Sequence, residues 1–215
     1  MKKGNNRVLI WLMVLMVLSC KQSGTKDQST ATGPATAKSG QPYSIDTSET
    51  VLQWTAYKFT NRAAVNGTFS DFVLFTKGTS ETTNVLSPGD SIVINTLSVD
   101  TGNGIRDDKL RRYFFQVLHS DTIKGTILEA GEETGKMSLE INALSNTVDY
   151  RYSRKKDTLI LTTGIDLSDW EGEEAINSLN RECYELHMGP DGISKLWPTI
   201  DISLKLPMKI DSVAR

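Results

Sequence analysis

The 215-residue chain carries 24 Lys+Arg against 26 Asp+Glu, a formal charge of -2, and 38% of its residues are hydrophobic. The first twenty residues hold Lys2, Lys3 and Arg7 and no acid, so without them the balance becomes 21 against 26, or -5. A surface of that sign does not recruit nucleic acid by counterion release, and the isolated basic pairs Arg111-Arg112 and Lys155-Lys156 suit a solvated face and a turn.

Lys2, Lys3 and Arg7 precede an apolar run from Val8 to Leu18 that is too short for a comfortable membrane-spanning helix. The run ends Val17-Leu18-Ser19-Cys20, the order of a bacterial lipobox. Residues 1–19 therefore read as a lipoprotein signal peptide, and Cys20 as the acylated first residue of the mature chain, giving the protein a membrane anchor. A single-pass anchor is the alternative, weakened because the apolar segment reaches only Cys20. Residues 20–41, rich in Ser, Thr, Gly, Ala, Lys and Gln, read as lipidated Cys and flexible tether. Residues 42–213 suffice for one sizeable core. With Cys20 lipidated, Cys183 has no partner in its own chain and reads as a buried structural thiol. His119 and His187 stand at no spacing that implies a catalytic dyad or a metal site, so no catalytic residue, catalytic cofactor or metal is expected.

Strands dominate after Tyr43. Val51 to Phe59 and Ala64 to Phe75 flank the turn Thr60-Asn61-Arg62, with Gly67 predicting a bend or bulge. Ser87-Pro88-Gly89-Asp90 turns into a strand from Ser91 to Val99. Asp100 to Gly104 is a turn into an amphipathic helix whose apolar positions are Ile105, Leu110, Tyr113, Phe114, Val117 and Leu118. Tyr113-Phe114-Phe115 concentrates aromatic surface at one level, which suits either docking on a core or covering an apolar opening. Asp107 matches the positive helix terminus.

Further strands follow over Thr122–Leu128, Lys136–Ala143, Thr147–Tyr152 and Thr158–Ile165. A second helix is predicted over Glu171–Tyr184, capped by Ser168 or Asp169, with Ala175, Ile176, Leu179 and Cys183 as its stripe. The last strand alternates plainly through Ile200, Ile202, Leu204 and Leu206. About eight antiparallel strands, each with one apolar side, close into a barrel or stack as a sandwich, and pattern alone does not choose.

The segments Tyr43-Ser44-Ile45-Asp46, Val51-Leu52-Gln53-Trp54-Thr55-Ala56 and Val65-Asn66-Gly67-Thr68-Phe69 resemble the opening of the YceI-like lipid/polyisoprenoid-binding family. The likeness continues in Ser98-Val99-Asp100-Thr101, Arg106-Asp107-Asp108-Lys109-Leu110 and Phe114-Phe115-Gln116-Val117. It implies an all-β, lipocalin-like antiparallel barrel of about eight strands with one or two short helices, secreted to the periplasm or envelope. It also implies an elongated pocket for an isoprenoid or quinone-like lipid. The chain departs from the family pattern at His119–Ile123 and Asn142–Val148.

In such a barrel Trp54, Phe69, Ile94, Leu139, Ile141, Tyr150, Leu161 and Ile202 fall on inward faces, an apolar lining without charge at those positions. Leu110, Tyr113, Phe114 and Phe115 would close or line one end. The second helix is a lid or a loop packed outside. Each buried methylene of ligand contributes about 0.8 kcal/mol before ordering costs, so binding needs no specific hydrogen bond. The partners expected are an apolar lipid and the membrane, with a homodimer open. The rival reading is a ligand-free envelope scaffold, its barrel filled by its own side chains and Phe72, Phe75 or Trp197 displayed to a protein.

Overall fold

The computed structural model describes residues 43–77 and 86–210. The signal peptide, Cys20 and the tether lie outside the described residues. Eleven strand segments follow in chain order: β1 (Tyr43–Ile45), β2 (Val51–Lys58), β3 (Ala63–Phe69), β4 (Phe72–Phe75), β5 (Ser91–Asn95), β6 (Val99–Asp100), β7 (Thr122–Ala130), β8 (Thr134–Ile141), β9 (Leu144–Lys155), β10 (Thr158–Asp166) and β11 (Thr199–Ile210). Helix α1 (Gly104–Leu110) lies between β6 and β7, and α2 (Glu173–Glu182) between β10 and β11.

Three strands are broken. β1 and β2 both pair antiparallel with β11, through Ile45↔Met208 and then Val51↔Lys205, with a turn of 3-10 helix between them. β3 pairs β6 through Phe69↔Val99, and β4 pairs β5 through Phe72↔Ile94, so β3–β4 and β5–β6 are two long partners interrupted at the same level. At that interruption the Asp71 N–H donates to Ser98 Oγ at 3.0 Å, and the Asn95 N–H to the Asp71 carbonyl at 3.0 Å. Merging the halves leaves eight strand positions whose pairings return on themselves: β2, β3–β4, β5–β6, β7, β8, β9, β10, β11 and β2 again. Every neighbour in space is a neighbour in sequence except at the closing seam, where β11 pairs β1 and β2. Closing a sheet this way removes its edges.

Both helices emerge at one end, called the cap. The residues around Leu86, the β7–β8 turn and β1 mark the other, the foot. Alternation places Leu52, Leu139, Ile141, Leu159, Leu161, Leu204 and Leu206 in the buried interior, and polar neighbours such as Glu140, Thr162 and Lys205 outside.

Several local expectations fail for physical reasons. Gly67 makes no bulge, since β2 and β3 pair in continuous register from Leu52↔Phe69 to Lys58↔Ala63. Ala143 is not a strand residue: Asn142 and Ala143 have φ of 51° and 57° and form the two-residue loop from β8 to β9, a left-handed pair matching the twist of a tight hairpin. The first helix does not run regularly to Leu118. It widens after Leu110 into a π turn over Arg111–Phe115, where the Gln116 N–H donates to the Arg111 carbonyl at 3.0 Å. Ile105, placed by its period on the apolar face, is 75% exposed. Neither Ser168 nor Asp169 caps α2: its N-cap is Gly172, while Asp166 accepts from the Ser168 N–H and caps a preceding 3-10 turn. The left-handed Glu171 separates that turn from the helix.

Candidate functional site

A cavity of about 210 Å³ runs along the barrel interior. On β11 it is bordered by Ile200, Ile202, Leu204 and Leu206, a span of about 20 Å at the rise of an extended strand. Leu179, Leu196 and Trp197 border it toward the cap, and Ile45, Leu86 and Asp90 toward the foot. The wall is apolar because eight strands each turn their alternate apolar residues inward. Eight strands set a radius at which side chains either fill the centre or leave room for one small ligand. Here they leave room.

The structure sets Trp54, Phe69, Ile94, Leu139, Ile141, Leu161 and Ile202 on this wall from the strands, and Leu110, Phe114 and Phe115 from the cap. Tyr113 and Tyr150 do not border it. Tyr113 is half-buried, in the turn where the π widening changes the helical phase. Tyr150 lies below the cavity at the foot, 1% exposed, its hydroxyl donating to the Glu129 carbonyl at 3.0 Å. Burial pushes its phenol up to about 12. Its ring stacks on Tyr152 at 6.1 Å between centroids, and the Tyr152 hydroxyl donates to the Gly131 carbonyl. Of the aromatics named for display, Phe75 is exposed, Phe72 packs against the core, and Trp197 borders the cavity.

Trp54 is paired in register with Gly67, and the indole lies over the glycine where a side chain would otherwise stand. Its Nε1 is buried and has no hydrogen-bond partner among the described residues. Two other polar wall groups are satisfied by the chain. Asp90, 3% exposed, accepts from the backbone N–H of Lys77 and of Ser87, each at 2.9 Å. Thr163 donates to the Asp149 carbonyl at 2.8 Å.

Aromatic packing seats the cap. Phe115 meets Phe69 edge-on at 5.8 Å and Phe114 at 5.0 Å, which fixes the π turn against β3. Arg111 donates from Nε to the Leu97 carbonyl at 2.8 Å and from Nη2 to the Val99 carbonyl at 3.1 Å, tying the turn to the broken strand β5–β6. Asp107 is buried in the first turn of α1 and accepts from the Thr101 N–H at 2.9 Å and the Thr101 hydroxyl at 2.6 Å. Arg106 is exposed.

α2 puts Ile176 and Leu179 on the cavity wall, and Glu182 pairs with Lys109 of α1 at 3.1 Å. That partner raises the Lys109 pKa. Just beyond α2, His187 Nδ1 lies 3.0 Å from Asn180 Oδ1, and burial, with Lys58 and Lys109 nearby, brings its pKa down to about 4. Cys183 is buried and free, and burial raises its thiol pKa.

Inward residues that alternation alone could have assigned include Leu74, Ile92, Ile127, Met137, Leu204 and Leu206. Leu196 and Trp197 sit in the irregular segment before β11, where no period marks them. Among the described residues no three His, Cys, Asp or Glu gather as a metal site, and no helix is long and apolar enough to cross a membrane.

A solved polyisoprenoid binding domain from Saccharophagus degradans, implicated in plant cell wall breakdown, superposes with a TM-score of 0.56 at 16% identity, covering 80% of this chain and 100% of that one. BcnA of Burkholderia cenocepacia superposes with a TM-score of 0.51 at 14% identity, covering 77% and 99%. At these identities the likeness shows the fold. No curated protein matches the chain. The YceI-like domain model matches residues 43–208, the span from the first strand at the foot to the last. The chain belongs to the YceI-like family.

Proposed function

We propose that this protein binds a long apolar lipid, an isoprenoid or quinone-like chain, inside its barrel at the bacterial cell envelope, for storage, transport or sequestration. The observation that carries this reading is the apolar cavity running from the cap to the foot. A barrel filled by its own side chains would make the scaffold reading the better one, and this interior is open. The wall residues Trp54, Phe69, Ile94, Leu139, Ile141, Leu161 and Ile202 contact the chain, with Leu110, Phe114 and Phe115 above it. Acylated Cys20 and the tether of residues 20–41 hold the domain to the membrane on the periplasmic side or at the outer membrane. The binding named for the Saccharophagus degradans domain supports the choice of ligand class.

Burial of ten methylene groups would contribute about 8 kcal/mol from water transfer, before the costs of ordering and association. At about 210 Å³ the cavity is smaller than the roughly 300–1,000 Å³ usual for ligand pockets. A long polyprenyl chain therefore displaces the cap, and α2 is the element that yields, because it touches the cavity through Ile176 and Leu179 at its rim. Native mass spectrometry of full-length protein purified from its own envelope, followed by lipid extraction, tests the reading. One isoprenoid per chain is expected. Protein that emerges empty and takes up no apolar ligand on incubation would return the case to the scaffold.

A further inference from the structure

We infer that the occupant of the barrel carries a carbonyl or hydroxyl oxygen partway along its chain, accepting a hydrogen bond from the indole N–H of Trp54. The inference rests on the carrier reading above. Trp54 borders the cavity, and its Nε1 is sealed from solvent without an acceptor among the described residues. Elsewhere the fold satisfies such donors: Trp170 Nε1 donates to the Leu139 carbonyl at 3.1 Å, and Trp197 Nε1 to the Phe59 carbonyl at 2.7 Å. A buried N–H with no acceptor is rare in native folds. In a dry apolar wall, a matching group on the occupant gains more than it would in water.

The donor also selects. An indole N–H donates and cannot accept, so it favours a ketone, ester, amide or hydroxyl oxygen over a hydrocarbon or an ammonium group. Asp90 and Thr163 do not compete for the same role, since the carboxylate is taken by the N–H groups of Lys77 and Ser87 and the hydroxyl by the Asp149 carbonyl.

Register fixes the depth. Trp54 stands opposite Ile202 on β11, six residues before Met208, which faces Ile45 near the foot. On β2 it is four residues before Lys58, which bridges to Leu196 near the cap. At about 3.3 Å per residue the donor lies about 20 Å from the foot and about 13 Å from the cap. The oxygen therefore has room for an apolar stretch of up to about 20 Å on its foot side and about 13 Å on its cap side.

The test titrates full-length protein with farnesylacetone, an isoprenoid ketone, and with the hydrocarbon farnesene, each displacing the fluorescent probe N-phenyl-1-naphthylamine. Trp54→Phe should weaken the ketone about tenfold, the worth of one hydrogen bond, and farnesene less than about twofold. In isotope-labelled wild-type protein the Trp54 indole N–H resonance should move downfield with the ketone and stay in place with farnesene, a readout that needs no variant. An indole resonance that the ketone shifts no more than farnesene does would overturn the assignment and leave the carrier reading intact. Failure of both compounds to bind wild-type protein would overturn the carrier reading itself.

Discussion

Trp54 and Gly67 face each other across β2 and β3, and the indole occupies the place of a side chain at residue 67: a Cβ there would stand 2.6 Å from Cε2 of the ring. The ring covers bare backbone of the neighbouring strand, and the absence of a side chain lets it lie flat on the cavity wall. Gly135 and Tyr150 repeat the arrangement between β8 and β9 at the foot. Two aromatic residues thus shape the interior by lying over glycines on adjoining strands.

Gly67→Ala forces the indole off its seat. The loss should be about 2 kcal/mol, the usual scale of overpacking, read as a lower urea midpoint. Combining it with Trp54→Leu should recover part of that loss, because the two changes share one space.

Ala143→Gly should act in the opposite direction. Ala143 holds φ at 57° in the β8–β9 loop, a conformation that costs a residue bearing a Cβ about 1 kcal/mol and glycine almost nothing. Asn142 beside it is held by its N–H to Ser120 Oγ at 2.6 Å and its Nδ2 to the Trp170 carbonyl at 2.9 Å, so the loop keeps its shape. A gain of about 0.5 kcal/mol in chemical unfolding is expected after the extra unfolded-state entropy of glycine.

Ile202→Trp should fill the cavity at the level of Trp54. Displacement titrations should show apolar ligands weakened at least about tenfold, against a circular dichroism spectrum that still reports a β-sheet protein.

His187 gives the fold a pH dependence of definite sign. Its folded pKa of about 4 lies below the ordinary value of 6.5, so the unfolded chain binds its proton first as pH falls. The neutral imidazole imposes no penalty above about pH 6.5. Stability then declines from there down to about pH 4, by on the order of 2 kcal/mol after allowance for partial exposure. Urea midpoints between pH 7 and 4 should fall less steeply for His187→Gln than for wild type.

Lys109→Met should loosen the cap without unfolding the barrel. The Lys109–Glu182 pair lies at the solvent-facing side of the cap, so its loss should leave the urea midpoint of the barrel nearly unchanged. Because it joins α1 to α2, ligand release measured by stopped-flow should quicken several-fold.

The strands and their inward faces were legible in the sequence because alternation is strongest where one face is buried, as in Ile200-Ile202-Leu204-Leu206, and those parities carry directly into the wall; that they close into a barrel rather than stack as a sandwich was legible only through the family resemblance. Less legible were features that leave no period. The breaks between β3 and β4 and between β5 and β6 depend on Asp71, Asn95 and Ser98 meeting across two strands distant in sequence. Gly67 suggested a bulge because glycine in a strand commonly marks one, whereas here the residue across the ladder requires it. The π turn carries the aromatic run of a regular helix, yet it withdraws Tyr113 from the wall while Phe114 and Phe115 stay on it. Leu196 and Trp197 lie in irregular chain, where only the closed ring reveals which way they face.

Tyr43 stands opposite Ile210, so the described chain begins and ends on neighbouring strands at the foot. Both ends of the described chain therefore lie at the end of the barrel remote from the helices. The same adjacency suits circular permutation: a short linker from Ile210 back to Tyr43 would let new termini be cut elsewhere while the ring of strands keeps its order.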